Sequence, residues 1–319
     1  MASTVATSHV RKWHTCDVLK PVLSLEVAAA VADGLPVVAL ESTIFSNLGL
    51  PSPFNADALQ RCLAAVRAGG AVPAVTAVLD GIARVGLDET EHHRVLGAGH
   101  KVAERDLAVA IGQGWEFGAT TVSASVALAA AAGVHVFATG GIGGVHRGAE
   151  ITGDISADLD ALAHQPVITV CAGAKAFLDL PRTLEYLETV GVPVLGWQHD
   201  WFPAFYTRSS GLKLTHRVES GNEVAAIFAA RSRVNSGMLL TVPIPLNDEL
   251  DTDMLDAVLS EALTDCDAAG VTGAAITPFV LGRIAEATAG RSIPANLALA
   301  ENNAAVAAQV ACAISKVGQ

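Results

Sequence analysis

The sequence predicts an α/β fold, a layered arrangement with a central, largely parallel or mixed sheet covered by helices on both faces. Short apolar runs recur without polar alternation, as in strands buried on both sides. Ala-rich stretches long enough for helices separate them. Aromatic residues are only 5 % of the 319, and abundant Ala, Gly and Val allow helices to pack closely on a sheet. Taken in order, Pro36 to Leu40 (PVVAL) reads as a strand, Asn55 to Ala68 as a helix and Val72 to Leu79 (VPAVTAVL) as a second strand. Thr120 to Ala132 is expected to be helical, with strands at Val134 to Thr139 (VHVFAT) and Val167 to Cys171 (VITVC). Leu184 to Val190 reads as a helix and Val192 to Leu195 as a further strand. Residues 248–317 read as two helical patches joined through Gly270 to Pro278. No repeat or linker interrupts this pattern, so one domain is expected.

Composition excludes several classes of function. Twenty basic against 32 acidic side chains give a net charge of -12, and the pI is near 5.2. Such a surface repels phosphate backbones, so no nucleic-acid partner is expected. With 51 % apolar and 16 % charged residues, the chain can fill a large core. Phe117 to Val145 carries no charge if His135 is neutral, and it is long enough to span a bilayer. It is mostly Ala, Ser, Thr and Gly and divides at Gly133, so a buried helix followed by a buried strand is expected, with no membrane partner. The basic residues near the N-terminus have no apolar run behind them, so no signal peptide is read. Five widely spaced cysteines form no CxxC pair. They suggest neither a disulfide framework nor a zinc site, and a cytoplasmic location is expected.

Ligands of α/β sheets bind beyond the carboxyl ends of strands, which draws attention to the polar residues there. Glu41 follows PVVAL; a carboxylate at that depth needs a partner or carries a proton at raised pKa, unless it caps a helix. In FATGGIGGVHRGAE four glycines precede His146 and Arg147, a pattern that suits a phosphate, or a tight turn. The spacing is neither the dinucleotide fingerprint nor the triphosphate loop. Asp154 and Asp158 share a face if their segment is helical, and two acids there could hold Mg²⁺ or Mn²⁺. Otherwise Asp154 is a helix cap and Asp158 a surface residue. Lys175 ends VITVCAGAK among Gly and Ala, where a dry ammonium loses its charge readily and its amine can form an imine with a carbonyl. Lys101 on its own reads as a solvated charge. Together these residues point to imine chemistry on a phosphorylated sugar.

The strings VALESTI, KVAERDL, GATTVSAS, FATGGIGGVHRGAE, DISADL, VCAGAKAFLD, TLEYLETVGVPV, FPAFYTRSSG, TPFVLGRIAE and ENNA resemble the pseudouridine-5'-phosphate glycosidase family. The resemblance is greatest to the branch named after indigoidine synthase A. It begins near Leu25, which implies an N-terminal extension over 1–24 and a single family domain over 25–319. It implies reversible cleavage of the C–C glycosidic bond of pseudouridine 5'-phosphate to uracil and ribose 5-phosphate, a Mn²⁺ cofactor and a homotrimer. Carried over motif by motif, Lys175 is the nucleophile that forms the imine with the ring-opened sugar, and Glu41 is the proton donor. Asp154 holds the metal. Lys101, Val122, Ser156, Ala157 and Asp158 fall on substrate contacts, and His146 and Asn296 on pocket positions.

Three departures stand out: Ser46-Asn47-Leu48-Gly49 in place of the usual SHG, Ala274 where a basic residue often stands, and the unmatched first twenty residues. They bear on the aglycone and open a second reading, a synthase joining ribose 5-phosphate to an aromatic carbon of a secondary metabolite. A third, a sugar-phosphate binder without catalysis, is disfavoured because Lys175, Glu41 and Asp154 are all present.

Overall fold

The computed structural model describes residues 19–97, 99–271 and 276–317; Ala274 and most of the expected extension lie outside them. Eleven strands form one sheet. In chain order they are β1 (Val22–Leu23), β2 (Val37–Leu40), β3 (Val72–Leu79), β4 (Ile82–Val85), β5 (His100–Val102), β6 (Phe117–Thr120), β7 (Val136–Ala138), β8 (Ile168–Cys171), β9 (Val194–Trp197), β10 (His216–Val218) and β11 (Met238–Thr241). The main path runs β1-β4-β3-β2-β7-β8-β11-β9-β10, while β6 pairs with β3 and β5. Every residue of β2, β7, β8 and β11 is buried, so both faces of the sheet's centre are covered. This is why those strands read as unbroken apolar runs. β1 lies inside the expected extension yet pairs with β4.

Among the named strands, antiparallel pairing is confined to β3 with β4 and β3 with β6; isolated antiparallel bridges join Val145 to Ile155, Gly173 to Ala204 and Trp201 to Lys213. The first half of β3 pairs in parallel with β2, the second half with the two antiparallel neighbours. Asp80 and Gly81 turn the β3–β4 hairpin, both at positive φ. Asp-Gly is the residue pair that a two-residue hairpin turn favours, so this hairpin had a sequence signal. Where β3 changes partners, the buried Thr76 hydroxyl donates to Leu40 O and meets the hydroxyls of Thr120 and Ser125. These bonds join the end of β2 to the end of β6.

The uncharged stretch resolves into strand β6, the buried helix Val122–Ala131 and strand β7. Helix Leu180–Val190 starts four residues before its expected position because Asp179 caps Arg182 N and Pro181 fits the first turn. The two expected C-terminal patches are three helices, Thr252–Ala268, Ile276–Ala287 and Ser292–Val317. The last is long and apolar enough to cross a membrane, yet most of it is buried against helices Phe54–Ala68 and Gly221–Ala229. It is a core helix of the layered fold, and it carries Asn296 and Asn303 to the carboxyl ends of the strands.

Candidate active site

Parallel strands β2, β7 and β8 lie side by side. Their carboxyl ends deliver Glu41, the turn from Thr139 to Gly144, and the segment leading to Lys175. Main-chain bonds continue past the strands, with Ile142 N donating to Gly173 O and Lys175 N to Ile142 O. A cavity of about 670 Å³ opens there. Glu41, Lys101, Val122, His146, Asp154, Ser156, Ala157, Asp158, Lys175 and Asn296 all line it. The structure therefore brings these ten residues to one cavity.

Glu41 is 9 % exposed and caps no helix; Thr139 Oγ1 donates to its Oε1 at 2.5 Å. Burial pushes its carboxyl up to about 7, against the Thr139 hydrogen bond and the Lys175 charge, which favour ionisation. A carboxyl poised there gives or takes a proton near neutral pH. Lys175 is half-buried on the cavity wall, less dry than its sequence neighbours suggest. Lys101 sits in β5 opposite Ala119 of β6, facing the cavity. Burial first and the charge of Lys175 second hold its ammonium pKa below the usual value.

Asp154 and Asp158 do not share a helix face. Ser156 caps helix Ala157–His164, so Asp154 precedes the helix and only Asp158 lies within it. Nor is Asp158 a surface residue: it is 6 % exposed. Its two carboxylate oxygens accept the N–H groups of Ser123 and Gly143 at 3.0 and 2.9 Å. It ties the glycine turn to the first turn of helix Val122–Ala131. A Cβ on Gly143 would collide with Ser156 and crowd Asp158, so glycine is required there for close approach.

Within that turn Ile142, Gly143, Val145 and His146 donate their N–H groups inside the protein. Asn303 Nδ2 donates to Thr139 O at 2.8 Å and Gly140 O at 3.2 Å, holding the turn from the opposite side. Lys101 and Lys175 and two helix N-termini, at Val122 and Ala157, that open on the cavity supply attraction for an anion. Arg147 does not join them; it lines a neighbouring cavity with Leu178 and Ser209. His146 Nδ1 lies 3.8 Å from Asp154 Oδ2, and burial lowers the His146 pKa.

The cavity also has walls that the sequence did not reveal as such. Ile44, Phe177, Phe205, Thr277 and Leu281 line it, as do Arg105 and Asp106. Phe205 and Thr277 fall within quoted motifs, but only the fold brings them to the cavity. Leu48 and Gly49, from the departing Ser46–Gly49 segment, line it too.

The profile of a family described as Indigoidine synthase A like protein matches residues 26–313. The chain is 50 % identical over 299 residues to a pseudouridine-5'-phosphate glycosidase of Herpetosiphon aurantiacus, covering 92 % of this chain and 98 % of that one. It is 45 % identical over 299 residues to a protein of the same name from Staphylococcus aureus, covering 92 % and 96 %. Among solved structures, the prealnumycin C-glycosynthase AlnA in complex with ribulose 5-phosphate matches with TM-score 0.86 and 36 % identity, over 95 % of this chain and 99 % of that one. An indigoidine synthase A-like protein of Thermotoga maritima matches with TM-score 0.81 and 31 % identity, over 95 % and 100 %. With the family profile, the relatives and the fold matched along nearly its whole length, the chain belongs to the indigoidine synthase A-like family, which includes the pseudouridine-5'-phosphate glycosidases.

Proposed function

We propose that this enzyme reversibly cleaves the C–C glycosidic bond of pseudouridine 5'-phosphate, giving uracil and ribose 5-phosphate through an imine on Lys175. The observation that carries the reading is the convergence of Lys175 and Glu41, from the ends of β8 and β2, on one cavity with Lys101 and two helix N-termini. The curated relatives near 50 % identity carry the name of that activity.

In the cleavage direction the Lys175 amine bonds the anomeric carbon, and the ring oxygen leaves with a proton from Glu41. The lysine nitrogen's lone pair then forms C=N as the C–C bond breaks. A proton added beforehand to the uracil ring carbon of that bond makes it tetrahedral, so the released electron pair restores the ring C=C and uracil leaves neutral. Water adds to the imine, freeing ribose 5-phosphate and the amine. In reverse, the imine is the electron sink that uracil's carbon attacks, which is why an amine nucleophile suits a carbon–carbon bond.

A divalent ion, Mn²⁺ foremost, fits this cavity in one mode. Among the described residues no three His, Cys, Asp or Glu side chains gather. Asp154 would hold the ion beside His146, with water and substrate oxygens completing the shell, as hard octahedral ions permit. When bound it supplies positive charge beside the sugar phosphate. Asp154→Ala should therefore raise the Mn²⁺ concentration needed for half-maximal activity at least tenfold, read by metal titration; an unchanged requirement removes Asp154 from the metal site.

The reading is tested by incubating the protein with Mn²⁺, uracil and ribose 5-phosphate and following pseudouridine 5'-phosphate by chromatography. Turnover is expected. A lysine–sugar adduct without turnover would favour an aromatic aglycone, the second reading, which the likeness to a C-glycosynthase supports. A homotrimer and a cytoplasmic location belong to the same proposal. The exposed Ile151 (88 %) leaves an apolar side chain for a neighbouring copy, and Cys62, Cys171 and Cys312 are free thiols, as in a reducing compartment.

A further inference from the structure

The glycine turn orders the cavity from end to end. A Cβ on Gly140 would touch Leu299, Ile44 and Phe205 at 3.3–3.5 Å, and one on Gly141 would run into the Phe205 ring at 2.5 Å. At Gly143 the neighbours are instead Ser156 and Asp158. Asp154 and His146 lie beyond, and Phe177 packs on His146 with ring centroids 6.2 Å apart. One end is thus apolar and aromatic, the other polar and charged. Lys175 bonds to Ile142 O, between them. A phosphorylated C-nucleoside has the same order: base, anomeric carbon, sugar phosphate.

Phe205 stands out at the apolar end. It is bulky yet adopts a left-handed φ of 63°, a conformation that persists only where its surroundings impose it. Its N–H donates to Ala172 O, and Tyr206 meets its ring edge-on at 4.7 Å. Asn296, one helical turn before Leu299, lines the cavity at 5 % exposure with an Oδ1 that has no hydrogen-bond partner. The apolar end therefore combines a fixed aromatic ring with a free acceptor, which suits a planar heterocycle bearing N–H groups.

We infer that Phe205 is a specificity-determining residue, its 4 % exposed ring forming the wall against which the aglycone packs. The inference rests on the function proposed above. Its test uses binding and needs no turnover. In the full chain carrying Lys175→Ala, with Mn²⁺ present, calorimetry compares pseudouridine 5'-phosphate with ribose 5-phosphate. Adding Phe205→Leu should weaken binding of pseudouridine 5'-phosphate by roughly ten- to a hundredfold. Affinity for ribose 5-phosphate should stay within about twofold, which also verifies the fold. Phe205→Tyr, which keeps the ring, should restore the difference. Equal loss for both ligands, or no loss for either, overturns the inference. A Lys175→Ala parent that does not prefer the nucleotide over the sugar phosphate overturns the proposed function itself, before Phe205 is changed.

Discussion

Lys175→Ala should lower turnover by roughly a thousandfold or more in both directions, because nothing else in the cavity replaces a covalent amine. Lys101 is the one other lysine lining the described cavity, and it enters from β5, on the far side of the sheet's main path. Borohydride with ribose 5-phosphate should add one reduced sugar to the wild-type chain, on the peptide containing Lys175. In the variant that mass should vanish, while affinity for ribose 5-phosphate falls less than turnover does. An adduct found on Lys101, or a variant keeping a tenth of wild-type turnover, would contradict the assignment.

Glu41→Gln should separate activity from stability. Removing a proton donor should lower turnover by roughly 10²- to 10⁴-fold. In the wild type, the Glu41-dependent rate should decline as pH rises past about 7, and this limb should be absent in the variant. The stability effect has the opposite sign. Burial raises the folded-state pKa from 4.5 to about 7, so folding favours the protonated form. That contribution is full below about 4.5 and is lost as pH rises through about 7. Glutamine mimics the protonated side chain at every pH, so above 7 the variant should be more stable than the wild type, by on the order of 3 kcal/mol. At pH 5 the gain should shrink markedly. Thermal melts at pH 5 and pH 8 decide it; a gain that does not change with pH would mean that Glu41 is ionised throughout.

Much of this site was legible because its chemistry follows buried strands. Glu41 and Lys175 each lie just beyond an apolar run, and such runs can be read without neighbours. What escaped depended on partners. The relation of Asp154 to Asp158 turned on where the helix begins, and the Ser156 cap starts it at Ala157, three residues beyond Asp154. Arg147 looked like a phosphate ligand beside His146, but it sits in the turn with Gly148 and lines the neighbouring cavity. The glycines suggested an anion nest; what no spacing showed is that Gly141 and Gly143 also leave room for the Phe205 ring and for Ser156. Phe205 carried no periodic signal, because its ring is aimed by a backbone conformation that no pattern of apolar residues encodes. Strands β1, β4, β5 and β10 were missed as short and partly exposed elements, which depend on pairing rather than composition, whereas β6 and β11 are fully buried and were passed over all the same.

The Asn303 clamp has a mechanical consequence. Its amide grips two successive carbonyls of the turn, while Gly143 is pinned to Asp158 and Val145 to Thr183. A segment tethered from the long C-terminal helix on one side and from two other helices on the other cannot swing as a lid. It is the floor of the chamber. Any doorway must lie in the looser wall, where Arg105 is 80 % exposed and Leu48 and Gly49 are only partly covered. On the proposed function, substrate passes beside the Ser46–Gly49 segment, and substitutions there should alter passage without disturbing the floor that aligns the reacting groups.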